Sequence, residues 1–269
     1  IPSDARLQVK AGNIYYLDYD AGKNTLNLIV YNIEEQESES ILIAEGRDYD
    51  RLNDCTVIPS DDGNNVIVTA NNSMVGYFLI TVDVSEAEVS DAIHLEENVT
   101  VCPGPDSGEF FVIGRSSVSL AGMNGDLAEI ASTEGRIAIG SEYNGDSLYV
   151  VYQSGELYRY NRDGDVLSVT SLDPGEFGAD DTVVFNFTDI GLVLHVGRYT
   201  NIVATTDYMD NSRPGDFGVR CSMTGCIGYS DTARRFVSYS GTTADLSLGY
   251  FDYKDVNKLI EDAHEYLGE

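Results

Sequence analysis

Tryptophan is absent from this sequence of 269 residues, and basic residues are scarce, with 16 lysines and arginines against 45 aspartates and glutamates. The formal net charge is therefore −29 at pH 7. Because nucleic acids and anionic lipid surfaces are bound through clusters of basic side chains, we expect neither as a partner. A high negative net charge favours solubility, and the partners that it would attract are cations and basic proteins.

Long apolar runs are also missing. The chain begins at Ile1 rather than at methionine, and no stretch approaches the length of a membrane span or of the apolar part of a signal peptide. We therefore expect an extracytoplasmic protein, secreted or anchored through a segment outside this chain, and we expect it to be a monomer.

The four cysteines and three histidines do not have the spacing of a zinc site. We expect no metal site and no cofactor. Cys221 and Cys226 would close a small disulfide loop in an oxidising compartment, and otherwise they are buried small hydrophobes. The acidic turns lack the spacing of a calcium-binding EF-hand loop, so we interpret them as ordinary hairpin turns.

The sequence does contain a repeated phrase, in which a short polar turn is followed by an apolar strand. Clear copies lie at residues 59–68, 104–112, 142–151 and 229–237. The first core residues of the successive strands lie 38 to 52 residues apart, at Ile14, Val66, Phe110, Leu148, Leu192 and Phe236. Repeats of about 40 to 50 residues that each hold several short strands are typical of β-propeller blades.

Most units contain four apolar runs, several with the alternation of a half-buried strand. The Asn, Asp and Gly residues of 124–126 and 161–165 fit the turns between such strands. The sequence therefore predicts an all-β fold, a β-propeller of six blades over residues 1–251, with seven blades as the alternative if the chain is part of a longer protein.

The arrangement resembles bacterial WD40-like and quinoprotein-like propellers, which carry a Ser-Pro-Asp-Gly type of turn before the second strand of each blade. The resemblance covers nearly the whole chain. It implies the fold and an extracytoplasmic bacterial setting. It transfers no active site, because the tryptophan motifs of WD40 repeats and of quinoprotein dehydrogenases are missing, as is the Asp-box of sialidase-like propellers.

After the last apolar strand the pattern changes to that of a helix. Val256, Leu259, Ile260, Ala263 and Leu267 share one face of a helix. We predict an amphipathic helix within residues 252–269 that packs on the propeller as part of the same domain.

Candidate binding residues fall in two places. One is the strand that holds His195, with Arg198 and Tyr199 close by in sequence. The other is the loop 206–218, which contains Tyr208, Met209, Arg213 and Phe217. Long loops on a rigid β scaffold are where binding residues concentrate. No residue is assigned a catalytic role, since 45 acidic residues make chance carboxylate pairs inevitable.

We therefore expect a non-enzymatic binding or protein-interaction module with a protein or carbohydrate ligand. A carbohydrate-active or other hydrolytic enzyme that uses carboxylates near the propeller axis is the alternative. A cation-dependent adhesin is a third hypothesis.

Overall fold

The computed structural model describes residues 7–50, 52–72, 74, 76–172, 177–178, 181, 183–188, 191–196, 200–204, 219–221, 226–230, 235–242 and 245–252. Within them the chain is all-β, apart from a 3₁₀ turn at Arg47–Tyr49. It divides into two compact units, which are residues 1–149 with 160–165 and residues 150–159 with 166–269.

Three antiparallel sheets form most of the first unit, each ordered as the chain runs. The first sheet contains β1 (Gln8–Lys10), β2 (Asn13–Asp20), β3 (Thr25–Asn32) and β4 (Glu37–Glu45). The second contains β5 (Asn53–Pro59), β6 (Asn65–Asn72), β7 (Gly76–Asp83), β8 (Glu88–Val89) and β9 (Ile93–Leu95), of which both β8 and β9 pair with β7. The third contains β10 (Thr100–Pro103), β11 (Phe110–Ile113), β12 (Ser117–Ala121) and β13 (Leu127–Ser132).

The remaining strands form three further sheets, again in chain order. The fourth sheet contains β14 (Ala138–Tyr143), β15 (Leu148–Tyr152), β16 (Glu156–Tyr160) and β17 (Val166–Ser171). The fifth contains β18 (Val183–Thr188), β19 (Gly191–Val196), β20 (Thr200–Ala204) and β21 (Val219–Cys221). The sixth contains β22 (Cys226–Ser230), β23 (Arg235–Thr242) and β24 (Asp245–Asp252).

The middle of β6 and of β7 is buried on both faces of the sheet, which explains why 66–68 and 78–80 are continuous apolar runs rather than alternating ones. Val66 and Val68 pack with the first sheet in one hydrophobic cluster. Ile67, the residue between them, packs with Phe110 and Val112 of the third sheet in another. Successive side chains of one strand thus fill the cores on opposite sides of the sheet.

The first strands of neighbouring sheets lie side by side in the first unit. Contacts join β1 to β5, β5 to β10, and β10 to β14. At the last of these steps the Thr100 hydroxyl donates a hydrogen bond of 3.3 Å to the Ala138 carbonyl. Repeated four-stranded antiparallel sheets with adjacent first strands are consistent with a β-propeller-like fold.

Most of the predicted strands agree with the observed ones to within a few residues. In the second sheet the fourth apolar run of the sequence, 92–95, forms β9, and a further short strand that the sequence did not predict, β8, precedes it; β21 was not predicted either. The first strand of the fourth sheet, predicted at 137–139, extends to Tyr143. Of the predicted C-terminal segment 252–269, only Asp252 lies within the described residues, where it ends β24.

Candidate functional site

The turn between β5 and β6 is organised by the carboxylate of Asp62. The carboxylate accepts hydrogen bonds from the Ser60 hydroxyl at 2.6 Å, the Asn64 backbone N–H at 3.0 Å and the Ser107 hydroxyl at 2.8 Å. These bonds, that of Ser60 foremost, lower the pKa of Asp62 to about 2 against a smaller opposing effect of burial. Asp62 is therefore ionised throughout the physiological pH range.

Hydrogen bonds tie this turn to both neighbouring sheets. Asn65 donates from its side-chain amide to the Ser107 hydroxyl of the third sheet at 2.9 Å. On the other side, the Tyr15 hydroxyl of the first sheet donates to the Gly63 carbonyl at 2.9 Å. Gly63 has a φ of 76°, and a Cβ there would lie 2.5 Å from the Tyr15 hydroxyl oxygen, so the close approach requires glycine.

A second group of ion pairs joins the β10–β11 turn to the β16–β17 turn. Arg162 contacts the carboxylate of Asp106 and lies 3.3 Å from that of Glu109. The pKa of Arg162 is raised, chiefly by its hydrogen bond to Asp106. The guanidinium of Arg162 is thus shared by two carboxylates, and its ion pair with Asp106 is exposed to solvent.

These turns lie at one edge of the first unit, since turns after the first and third strands of an antiparallel sheet share an edge. We call the turns 11–12, 60–64, 104–109, 144–147 and 161–165 the turn face. The basic side chains near them are Lys10 and Arg162, and each is engaged by a carboxylate. The exposed acidic residues are Asp61, Asp62, Asp106, Asp146, Asp163 and Asp165.

A partly buried carboxyl group lies behind the turn face. Glu142, near the end of β14, interacts electrostatically with Lys10 and Asp61, and these two form an ion pair of 2.5 Å. Burial raises the pKa of Glu142 to about 7, with a further rise caused by Asp61 and a partial reduction caused by Lys10. The group therefore changes its charge near neutral pH.

The thiol beside this carboxyl is of the unreactive kind. Cys102 in β10 is a buried free cysteine, and its pKa is raised mainly by burial and also by the charge of Glu142. The neighbouring Ser141 hydroxyl opposes this rise and lowers the pKa, although no hydrogen bond of normal geometry joins it to the thiol. A protonated, buried thiol is a poor nucleophile.

The structure describes few of the binding residues predicted from the sequence. His195 lies in β19, with its backbone opposite Val184 and Asn201. Cys221 ends β21 and Cys226 begins β22, so their disulfide stays a prediction. The other candidates, which are Arg198, Tyr199, Tyr208, Met209, Arg213 and Phe217, lie outside the described residues.

Sequence reasoning did not single out the group formed by Lys10, Asp61 and Glu142. The three residues lie far apart in the chain, and each looks like an ordinary polar residue of a turn or strand end. One signal was available, since each of the three residues lies within two residues of the end of the first strand of its sheet.

Within the described ranges, no three histidine, cysteine, aspartate or glutamate side chains are placed to share a metal ion. In the same part of the chain, no helix has the length and apolar character needed to cross a membrane.

No protein-family model matches the sequence. A search of the curated proteins found no match either. Similarity appears at the level of solved structures. The computationally designed Ika8 protein is similar over 91% of this chain and 70% of its own, with a TM-score of 0.58 and 14% identity.

Two complexes are also similar. A chain of the complex of KlAtg21 with the coiled-coil of AgAtg16 has a TM-score of 0.56 and 10% identity over 82% of this chain and 70% of its own. A chain of the mitotic checkpoint complex has a TM-score of 0.53 and 11% identity over 91% of this chain and 83% of its own. At these identities the likeness concerns the fold, a repeated β-structure.

Proposed function

We propose that this chain is a WD40-like, six-bladed propeller that acts as a non-enzymatic, extracytoplasmic protein-interaction module and binds a basic segment of its partner at the turn face. The observation that carries the proposal is that the acidic turns of this face are tied together across sheets. Asp62 and Asn65 both bond to Ser107, and Arg162 holds Asp106 and Glu109. The six sheets among the described residues support the blade number.

A surface fixed in this way suits electrostatic recognition. The exposed carboxylates of Asp146 and Asp163 are held on short turns, and the bonds between turns reduce the ordering needed on binding. An acidic face of this kind steers a basic partner and raises the association rate. Two of the similar structures are complexes of several proteins by their titles, which agrees with an interaction role for the fold.

The test uses a labelled lysine-rich peptide and a second peptide with glutamate in place of lysine. We expect the full chain to bind the first peptide and not the second, with an affinity that falls as salt rises. The double variant Asp146→Lys with Asp163→Lys should weaken binding at least tenfold.

The control is Glu45→Lys with Glu96→Lys, which changes the net charge equally. Both glutamates are exposed, and both lie at the opposite edge of their sheets, at the end of β4 and just after β9. We expect less than a twofold effect. Equal loss in the two double variants would mean general charge attraction and would contradict binding at the turn face.

Hydrolysis by carboxyl groups is the second candidate, and one observation favours it. Glu142, with a pKa of about 7, lies near Asp61, which is paired with Lys10. A carboxyl that is partly protonated at neutral pH and has a second acidic side chain near it is the arrangement of glycosidases. The measurement is release of reducing sugar from a panel of polysaccharides by the wild type and by Glu142→Gln. Equal release from both proteins, or none from the wild type, would remove this candidate.

A further inference from the structure

Three asparagines of this chain stand two positions before a serine or threonine with no proline between, and they are Asn71, Asn98 and Asn186. In exported proteins this pattern is the acceptor of N-linked glycans, and the acceptor is expected in a surface loop. In the bacterial form of the acceptor, an acidic residue also stands two positions before the asparagine. Asn98 meets this condition through Glu96, whereas an uncharged residue stands there before each of the other two.

The fold separates the three asparagines in the same way. Asn71 lies within β6, opposite Tyr77 of β7, and Asn186 lies within β18, which pairs with β19. Asn98 lies in the loop between β9 and β10, and its side chain is exposed. Because a glycan is bulky and hydrophilic, the loop is the place among these three that accommodates one in the folded protein.

The residues on either side of Asn98 are held to the protein, and Asn98 itself is not. The Glu97 carboxylate accepts a hydrogen bond of 2.5 Å from the Arg115 backbone N–H and lies 3.4 Å from the Arg115 guanidinium. Val99 packs against the hydrophobic cluster between the second and third sheets. The side-chain oxygen of Asn98 accepts the Val99 backbone N–H at 3.0 Å. Its amide nitrogen, the atom that would carry a glycan, forms no hydrogen bond among the described residues.

The loop 96–99 lies at the edge of the sheets opposite the turn face. It leads into the start of β10, whereas the end of β10 leads into the turn 104–109. A glycan on Asn98 would therefore cover the edge that the turn face does not use.

The threonine of the acceptor pattern is engaged in the folded chain. The Thr100 hydroxyl donates a hydrogen bond of 3.3 Å to the Ala138 carbonyl, where β10 lies beside β14. A transferase that recognises the pattern through this hydroxyl must act before the two strands come together. The expected time of modification is therefore during export, ahead of folding.

We propose that Asn98 is an N-glycosylation site, modified during export by an oligosaccharyltransferase from a lipid-linked oligosaccharide. The amide nitrogen of Asn98 forms a bond to the anomeric carbon of the first sugar and gives up one proton. The bond between that carbon and a phosphate oxygen of the donor breaks, and the lipid diphosphate leaves. The proposal rests on the extracytoplasmic setting proposed above and adds a modified residue and its place in the fold.

The test is export of the full chain, with a cleavable signal peptide, by a bacterial host that contains a lipid-linked oligosaccharide and its transferase. Intact mass and peptide mapping should show one glycan on the wild type, at Asn98. Asn98→Gln should carry none. An exported wild type without a glycan, a glycan that persists in Asn98→Gln, or a glycan on Asn71 or Asn186 would overturn the proposal.

Two matched pairs of variants test recognition of the acceptor pattern. Thr100→Ser keeps the hydroxyl and should keep the glycan, whereas Thr100→Val, of nearly the same shape, should lose it. Glu96→Gln should lower the glycosylated fraction at least fivefold, and Glu97→Gln, which removes the neighbouring charge, less than twofold. Equal losses within either pair would contradict recognition of Asn98 through this pattern.

Peptide binding separates this proposal from the function proposed above. Because Asn98 lies opposite the turn face, glycosylated and glycan-free wild type should bind the lysine-rich peptide of the previous section with affinities within twofold of each other. If neither form bound it, binding at the turn face would fail and the assignment of Asn98 would stand. If only the glycosylated form failed to bind, the placement of the glycan away from the turn face would be overturned.

Discussion

The β5–β6 turn and the end of β14 each place a carboxyl group at the same edge of the first unit, yet the pKa values of the two groups move in opposite directions. The pKa of Asp62 falls to about 2, and that of Glu142 rises to about 7. Asp62 is surrounded by hydrogen-bond donors, namely the hydroxyls of Ser60 and Ser107 and the amide groups of Asn64. Glu142 forms no hydrogen bond of its side chain among the described residues and is partly buried.

The difference shows that hydrogen-bond donors, more than nearby charge, decide the state of a carboxyl at this edge. Asp61 opposes ionisation of Glu142 and Lys10 favours it, and burial outweighs both. The β5–β6 turn is stabilised when the carboxyl of Asp62 is ionised, whereas β14 is stabilised when the carboxyl of Glu142 is protonated. The two regions should therefore respond in opposite ways to pH and to removal of the carboxyl.

The largest expected effect is that of Glu142→Gln at alkaline pH. Because the pKa of Glu142 is raised in the folded state, its favourable contribution is complete below pH 4.5 and is lost as the pH rises to about 7. The variant should match the wild type at pH 4 and be more stable at pH 8 by up to about 3 kcal/mol. Urea unfolding at several pH values measures this. The exposed Asp146→Asn is the control, and a parallel profile for wild type and Glu142→Gln would contradict the assignment.

Asp62→Ala should act in the opposite direction. The pKa of Asp62 is lowered in the folded state, so its contribution is present above pH 3.8 and is lost as the pH falls to about 2. Since the carboxylate is exposed, we discount for solvent and expect a loss of about 1–2 kcal/mol at pH 7. The loss should shrink at pH 2.5 in urea unfolding. Asp146→Ala, whose carboxylate is also exposed, should cost less than about 0.5 kcal/mol, and an equal cost would count against the hydrogen-bond network.

The region around Asp62 was predictable from sequence to a useful degree. The repeat places 59–68 and 104–112 in equivalent positions, and the apolar runs of β3 and β7 give their bounds to within a residue. The repeat does not specify which turn side chain bonds across to the next sheet. The bond between Ser107 and Asp62 forms because the second and third sheets bring these two turns close together. The sequence does not contain that distance.

The region around Glu142 was not predictable in the same way. Gly140, Ser141 and Glu142 read as the start of a polar turn, but β14 continues through them to Tyr143. Local polarity is overridden here because the strand lies next to β10, and the Tyr143 ring packs against that of Phe111 at 5.4 Å. A glutamate becomes partly buried as a result, and no local pattern signals burial of that kind.

Tyrosine hydroxyls allow the comparison between shielded and exposed groups to be repeated with neutral side chains. The Tyr15 hydroxyl donates to the Gly63 carbonyl at 2.9 Å in a buried setting, whereas that of Tyr143 donates to the Gly145 carbonyl at 2.8 Å in an exposed one. Tyr15→Phe leaves the carbonyl without its donor and should cost about 1 kcal/mol, and Tyr143→Phe should cost less than about 0.5 kcal/mol. Thermal or urea unfolding measures both, and equal costs would show that burial does not set the strength of these bonds.

The smallest expected effect is the coupling between Asp62 and Ser107, which tests whether the turns are joined across sheets or only lie close together. Ser107→Ala removes the donor of the 2.8 Å bond to Asp62 and the acceptor of the bond from Asn65. In a double-mutant cycle with Asp62→Ala, we expect a coupling energy of about 0.5–1 kcal/mol. The matched cycle pairs Ser107→Ala with Asp146→Ala and should give about zero, since no bond joins those side chains. If the first cycle were also additive, the hydrogen bond would contribute nothing to holding the turn face, and the rigidity on which binding of a basic segment depends would have to come from the strands alone.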